Sequence, residues 1–253
     1  MSEHAFYDIF LTAWFILAGA VFICLFFITA PYGRHLRKKW RPAIGNRTGW
    51  MIMEAPAALL FAIFFITGKS ADTLTAAIFL IMWEAHYLHR SFIYPLRFRD
   101  NTKKMPVIIA GMAFFFNVVN AYLNGRYLFD LSGGYSPEWL GGPRFLIGCV
   151  LFIIGMIINQ QADGVLRRLR KQGESVYRIP RGGLYRWISC PNYFGEILEW
   201  SGWAIATWSP AGLSFAVWTI AVLLPRARSH HIWYRAHFSD YPPGRKILFP
   251  GIW

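Results

Sequence analysis

The sequence predicts an all-α integral membrane protein, a single domain over residues 1–253 built from seven transmembrane helices. Composition is the first reason. The 253 residues are 55% hydrophobic and 18% aromatic but only 15% charged, where a soluble domain carries about 25% charge. Patterning is the second. Apolar runs able to cross about 30 Å of hydrocarbon fall at 9–30, 50–67, 73–93, 106–123, 145–166, 192–208 and 211–225. The third is the placement of the 26 cations: 23 lie in alternate connections and the tail, and only Lys69, Arg126 and Arg144 lie in the others. Under the positive-inside rule the N-terminus is outside and the C-terminus in the cytoplasm, which requires an odd number of spans.

Taken in order, the first run is preceded by Glu3 and Asp8. A cleaved signal peptide would have a basic segment there, so this run is read as a retained helix. The second run, GWMIMEAPAALLFAIFFITG at 49–68, contains Glu54. A carboxylate costs roughly 2.5–3.5 kcal/mol at the bilayer centre, so Glu54 needs a reason to be there. The third run ends WEAHYLHRSFIY at 83–94, with His86 and His89 three apart. HExxH is absent, and seven histidines are too few for a histidine-rich di-iron site, so no metal is expected. After the fourth run, the glycines, prolines and aromatics of 124–144 predict an ordered cap at the outer interface.

The fifth run carries Asn159, Asp163, Arg167 and Arg170 at steps of four, four and three, on one helical face. The sixth begins SCPNYFGEILEW, where Pro191 suits the first helical turn and Ser189 or Cys190 is the expected cap. Asn192, Glu196 and Glu199 again share a face. Glu196, Glu199, Ser209 and Pro210 interrupt the last two runs, which makes them less regular than the first five.

A net charge of +13 would suit nucleic acid, but the asymmetry between connections reads as membrane topology. Cys24, Cys149 and Cys190 are scattered and form neither a disulfide framework nor a CxxC site. Asp163 and Glu196 could simply pair with nearby arginines. Two polar stripes with a cationic loop between them favour instead a ligand bearing phosphates and hydroxyls, a nucleotide cofactor approaching from the cytoplasm. Neither GxGxxG nor a Walker sequence occurs, so the cofactor must lie among the helices and cytoplasmic loops.

Three stretches then carry a family resemblance. YRIPRGGLYRWISCPNYFGEILEWSGWAIATW (177–208), HHIWYRAHFSDYPPGRK (230–246) and HYLHRSF (86–92) together resemble the steroid 5α-reductase family over nearly the whole chain. The GGLY…CPNYFGE pattern also looks like the sterol Δ14- and Δ7-reductases and, more distantly, isoprenylcysteine carboxyl methyltransferases. HYLHR and the glutamate of the second run narrow it to the 5α-reductases. The rival readings are therefore another sterol double-bond reductase, a methyltransferase using S-adenosylmethionine, or a non-catalytic sterol-binding or transport protein.

The resemblance implies NADPH-dependent reduction of the double bond of a 3-oxo-Δ4-steroid entering from the bilayer, in a bacterial inner membrane or the endoplasmic reticulum. It implies that Glu54 and Tyr87 flank the ketone, with Glu54 orienting Tyr87 or itself acting as the donor. Implied cofactor contacts are Asn159, Asp163, Arg167, Arg170, Tyr177, Arg178, Asn192, Glu196, His230 and Tyr234. Arg170 is the first choice for the 2′-phosphate, with Arg97, Arg99 and Lys104 as further candidates, although LRFRDNTKKMP departs from the family's shorter loop there. Trp50 would shield the nicotinamide or line the steroid pocket.

Overall fold

The computed structural model describes residues 2–29, 41–98, 103–169 and 177–253. Among the described residues its regular structure is helical, apart from one small ribbon and an isolated bridge between Ile188 and Lys246. Among the described residues, seven helices of 15 residues or more fall on the seven apolar runs: α1 (Glu3–Phe27), α2 (Asn46–Thr67), α3 (Leu74–Leu88), α5 (Val107–Arg126), α6 (Pro143–Leu169), α7 (Pro191–Thr207) and α8 (Pro210–His237). Between α3 and α5 lies the single turn α4 (Tyr94–Leu96). Among the described residues, five helical segments are long and apolar enough to cross a membrane: Glu3–Phe27, Asn46–Thr67, Val107–Leu131, Pro143–Leu169 and Pro210–His237. At 15 and 17 residues, α3 and α7 are shorter. Large apolar side chains face outward along these helices, as with Ile9, Ile16 and Ile23 at every seventh position of α1. Such exposure suits lipid rather than water.

Contacts divide the chain into two compact units. The first takes Met1–Leu11 and Tyr32–Leu146, the second Thr12–Pro31 and Ile147–Trp253.

In the first unit, α2 packs along α5 and α3. A column of aromatic rings holds this packing. Phe61 stacks on Trp83 (4.3 Å between centroids, 11° between planes), Phe129 meets the edge of Phe61, and Trp83 meets Tyr87 at 4.9 Å. The indole N–H of Trp83 donates to the Ala57 carbonyl at 2.9 Å. At the start of α1, Tyr7 donates to the Leu123 carbonyl (2.9 Å), and the Arg126 guanidinium grips both Glu3 oxygens at 2.6 and 2.9 Å while also pairing with Asp130. These contacts draw the helix start back to Glu3, six residues before the apolar run begins. The 124–144 connection is ordered around a π turn (Tyr127–Leu131), two left-handed glycines (Gly133, Gly134) and a 3₁₀ turn (Pro137–Gly141). Thr75 anchors it by donating to the Ser136 carbonyl at 2.8 Å.

A two-stranded antiparallel ribbon, β1 (Ala43–Gly45) with β2 (Lys104–Pro106), precedes α2 and α5. Three-residue strands leave no alternating pattern for the sequence to reveal. From the first turn of α2, Arg47 donates to the Pro95 and Phe98 carbonyls at 3.2 and 3.4 Å. It thereby satisfies carbonyls left open at the end of α4.

The second unit is built on a close crossing of α6 and α7. A Cβ added at Gly148 or Gly155 would lie 2.3 Å from a backbone nitrogen of α7, and one at Gly195 or Gly202 would lie 2.5 or 2.4 Å from one of α6. Glycines seven apart on each helix therefore allow backbone to touch backbone. Cys190 occupies the N-cap of α7 without a side-chain capping bond. Ser189 is used otherwise, meeting His231 Nδ1 at 2.6 Å and the Tyr241 hydroxyl at 2.7 Å and donating to the Lys246 carbonyl at 3.0 Å. At the turn into α8, Trp208 adopts left-handed backbone (φ 45°), and the Ser209 side chain caps α8 at the Gly212 amide. The last helix does not stop at Pro225, where the apolar run ends. It continues to His237 with Pro225 buried inside, because proline removes one intrahelical bond and the surrounding packing holds the helix across the gap.

Candidate active site

Glu54 lies in α2, one turn beyond Trp50, and its side chain is only 13% exposed. Tyr87 projects from α3 and is 2% exposed. Both hydrogen-bond to the same residue of α5. Asn117 Nδ2 donates to Glu54 Oε2 at 3.1 Å and to the Met53 carbonyl at 2.7 Å, while the Tyr87 hydroxyl donates to Asn117 Oδ1 at 3.4 Å. On the other side of the phenol, Asn120 Nδ2 donates to Tyr87 Oη at 3.4 Å. Asn124 continues the row, donating at 3.1 Å to both the backbone carbonyl and Oδ1 of Asn120. All three asparagines are buried.

Just past Tyr87, the helix widens into a π turn, His89–Ile93, a distortion that recurs at functional sites. It carries Arg90, whose Nε lies 3.9 Å from Glu54 Oε1. The guanidinium sits over the Trp50 ring at 4.5 Å and the Tyr94 ring at 4.9 Å. Trp50 in turn packs edge-on against Tyr94 and Phe98, with centroids 5.1 and 6.1 Å apart. The structure thus brings Trp50, Glu54 and Tyr87 into one cluster and adds Asn117, Asn120 and Arg90 to it. Arg90 stands three residues from Tyr87 on the same face, a spacing visible in HYLHR. By sequence alone its charge counts with the cations of the connection that follows the third run.

In the second unit the two polar stripes face each other across the glycine crossing. Asn159 Nδ2 donates to the Asn192 carbonyl (2.9 Å) and to Glu196 Oε2 (3.2 Å), and Asn192 Nδ2 donates to Asp163 Oδ1 at 3.2 Å. The amides are paired with the opposite helix's acceptors in both directions. Tyr185, in the 3₁₀ turn Gly183–Arg186, is buried beside them. Burial, reinforced by the Asp163 carboxylate, holds its phenol well above the usual tyrosine range, so it remains a donor.

On α8, His230 and Tyr234 lie one turn apart. His230 Nε2 meets the Tyr193 hydroxyl at 3.1 Å, with the rings stacked at 5.7 Å, and Tyr234 stacks on Tyr241 at 5.4 Å. Tyr177 packs edge-on against Trp233 (5.1 Å), Arg167 is half-buried in the last turn of α6, and Arg178 is exposed. Arg97 and Lys104 are also exposed, at the end of α4 and in β2. Arg99 and Arg170 lie outside the described residues.

This donor set fits a nucleotide cofactor. Amides and carboxylates suit ribose hydroxyls and a carboxamide, aromatic rings suit a base, and Arg167 and Arg178 suit phosphates. Sequence reasoning missed Tyr185 and Tyr193, although both stand inside the quoted 177–208 stretch.

Long apolar helices with polar clusters of this kind fit a multi-pass membrane enzyme. The model of the family described as 3-oxo-5-alpha-steroid 4-dehydrogenase matches residues 103–253, more than half of the chain. A steroid 5-alpha-reductase of Gossypium hirsutum is 41% identical over 100% of this chain and 99% of its own. The 3-oxo-5-alpha-steroid 4-dehydrogenase 1 of Bos taurus is 43% identical, covering 92% of each chain. That of Homo sapiens is 43% identical over 87% of this chain and 85% of its own. The chain belongs to the 3-oxo-5-alpha-steroid 4-dehydrogenase family, and is therefore an oxidoreductase whose chemistry calls for a nicotinamide cofactor.

Proposed function

We propose that this protein reduces the Δ4 double bond of 3-oxo-Δ4-steroids to the 5α-reduced 3-oxosteroids, using NADPH, as a single seven-helix domain in a bacterial inner membrane or the endoplasmic reticulum. The observation that carries the reading is the Glu54–Asn117–Tyr87 bridge, an acid and a phenol held together by one buried amide. Tyr87 donates to the ketone oxygen as enolate charge develops on it, and Glu54, gripped by Asn117 beside Arg90, fixes the polarity of that donor. Trp50 lines the pocket at the mouth of α2. NADPH, when bound, supplies the hydride to the β carbon of the enone. Asn159, Asp163, Arg167, Arg170, Tyr177, Arg178, Asn192, Glu196, His230 and Tyr234 would hold it, with Arg170 the first choice for the 2′-phosphate and Arg97, Arg99 and Lys104 as further candidates.

The cofactor assignment is tested by titration. Arg170→Ala should weaken NADPH much more than NADH, because only NADPH has a 2′-phosphate to pair. Equal losses for the two would move the phosphate site, first to the segment holding Arg97, Arg99 and Lys104.

The cation split and the helices on seven apolar runs, five of them long and apolar enough to span among the described residues, support a reading of seven spans with the N-terminus outside and the C-terminus cytoplasmic. Single cysteines at Ser2 and Gly244, in a variant lacking Cys24, Cys149 and Cys190, should react with a membrane-impermeant thiol reagent from opposite sides of sealed vesicles. Reaction of both from the same side would remove the seven-span topology.

A further inference from the structure

The geometry points to Asn120 and Asn124 as positioning residues that, with Asn117, fix the direction of the Tyr87 hydroxyl proton. This inference rests on the reading of Tyr87 as the donor to the substrate ketone. Amide nitrogen and oxygen look alike by shape, so their direction must be settled by partners of known character. Two backbone carbonyls, which can only accept, settle it from opposite ends. Asn124 Nδ2 reaches the Asn120 carbonyl at 3.1 Å, so the NH₂ of Asn124 points there. The same NH₂ lies 3.1 Å from the Asn120 side chain, which must present its oxygen. Asn120 therefore turns its NH₂ toward Tyr87, 3.4 Å away, and the phenol oxygen must accept.

From the other end, Asn117 Nδ2 lies 2.7 Å from the Met53 carbonyl and 3.1 Å from Glu54 Oε2, both acceptors. Asn117 consequently offers its oxygen to Tyr87, at 3.4 Å. Both arguments give the same polarity. The phenol accepts on the Asn120 side, and its proton points away from Asn120, toward the side of Asn117 and Glu54. A phenol has one proton, and a neighbour that could accept it on the wrong side would take it from the substrate. At position 120 an amide held by Asn124 cannot do so. The long 3.4 Å contacts leave the proton easily transferred to a stronger acceptor, which a developing enolate oxygen is.

The discriminating variant is Asn120→Asp, which keeps shape but replaces the inward donor by an acceptor. When ionised, the introduced carboxylate draws the phenol proton to itself. With progesterone as substrate, kcat should fall about 10–100-fold at neutral pH, while NADPH titration and KM stay near wild type. At lower pH the introduced carboxyl gains a proton, can donate again, and kcat relative to wild type should recover. The other charged and ionisable groups around the phenol, Glu54 on α2, His86 beside Tyr87 on α3 and His89 and Arg90 on the π turn, are present in both proteins, and taking the ratio to wild type at each pH isolates the introduced carboxyl. Asn120→Leu should lose activity without any recovery at low pH.

If Asn120→Asp binds no NADPH and is misfolded, Asn124→Leu carries the same test one step back, with Asn124→Gln partly restoring kcat. Tyr87→Phe is measured alongside. Loss of turnover in Tyr87→Phe with kcat unchanged in the Asn120 and Asn124 variants overturns the positioning role alone. Normal turnover in Tyr87→Phe overturns the donor reading and this inference with it.

Discussion

Tyr87→Phe is expected to lower turnover of a 3-oxo-Δ4-steroid by roughly 10²–10³, the cost of one donor aimed at a developing oxyanion. The ring stays in its column against Trp83 and His86, so folding should change little. Only the hydroxyl leaves, together with its contacts to Asn117 and Asn120. Glu54→Gln keeps volume and an acceptor oxygen for Asn117 but loses the charge beside Arg90, and should also lower turnover strongly. Because both residues act on one oxygen through one amide, the double variant should be much less impaired than the product of the single effects. Direct NADPH titration should be unaffected in all three, since Asn159, Asp163, Asn192 and Glu196 stand on other helices. Near-normal turnover in Tyr87→Phe would return Glu54 to the role of a structural acid.

The second large effect concerns the α6–α7 crossing. Gly195 sits between Asn192 and Glu196, and a Cβ there would lie 2.5 Å from the Asn159 nitrogen and 2.6 Å from the Gly155 carbonyl oxygen. At Gly155 the added carbon would lie 2.3 Å from the Glu199 nitrogen. Overpacking in a core costs typically about 1–3 kcal/mol. Here the atoms struck are backbone, which cannot rotate aside, so the helices must separate.

Separation stretches the Asn159–Glu196 and Asn192–Asp163 hydrogen bonds and should weaken NADPH as well as lower the melting temperature. Gly155→Ala and Gly195→Ala should both show this. Gly111→Ala is the control: nothing lies within 4 Å of the added carbon, and alanine in a helix is worth about 0.5–1 kcal/mol over glycine. Wild-type NADPH affinity in Gly195→Ala would mean that the stripes do not need the crossing.

The helices could be read from the sequence because apolar runs of this length have few other uses. The stripes on α6 and α7 could be read because each charge in such a run is costly and its spacing places it on a face. Asn117, Asn120 and Asn124 went unread although they too fall at steps of three and four. An uncharged amide in an apolar run costs far less than a carboxylate and so draws less attention. The glycines of the crossing, seven apart on both α6 and α7, carried a signal of the same kind that was not used. The apolar run at 211–225 is shorter than the helix it marks, which continues through Pro225 to His237, since a proline ends a helix only where packing does not hold the chain across the gap. The ribbon of β1 and β2 and the π turns depend on tertiary context and leave no local pattern.

The π turn at His89–Ile93 also restricts how this helix can change length over evolutionary time. It holds one residue more than an α-helical turn would. Loss of one residue within the turn would restore a regular α-helix and leave the helix beyond it nearly in phase, because five residues of π turn sweep about the same angle as four of α-helix. The residues inside the turn would be re-spaced, and Arg90, which the turn carries, would shift from its place over Trp50 and beside Glu54, although no side chain at the site had been substituted. Insertions and deletions, usually the most forgiving changes when confined to surface connections, are at this point equivalent to active-site mutations. A gap opened here when relatives are aligned would therefore mark a change in how the substrate is held, even between chains whose Glu54 and Tyr87 are identical.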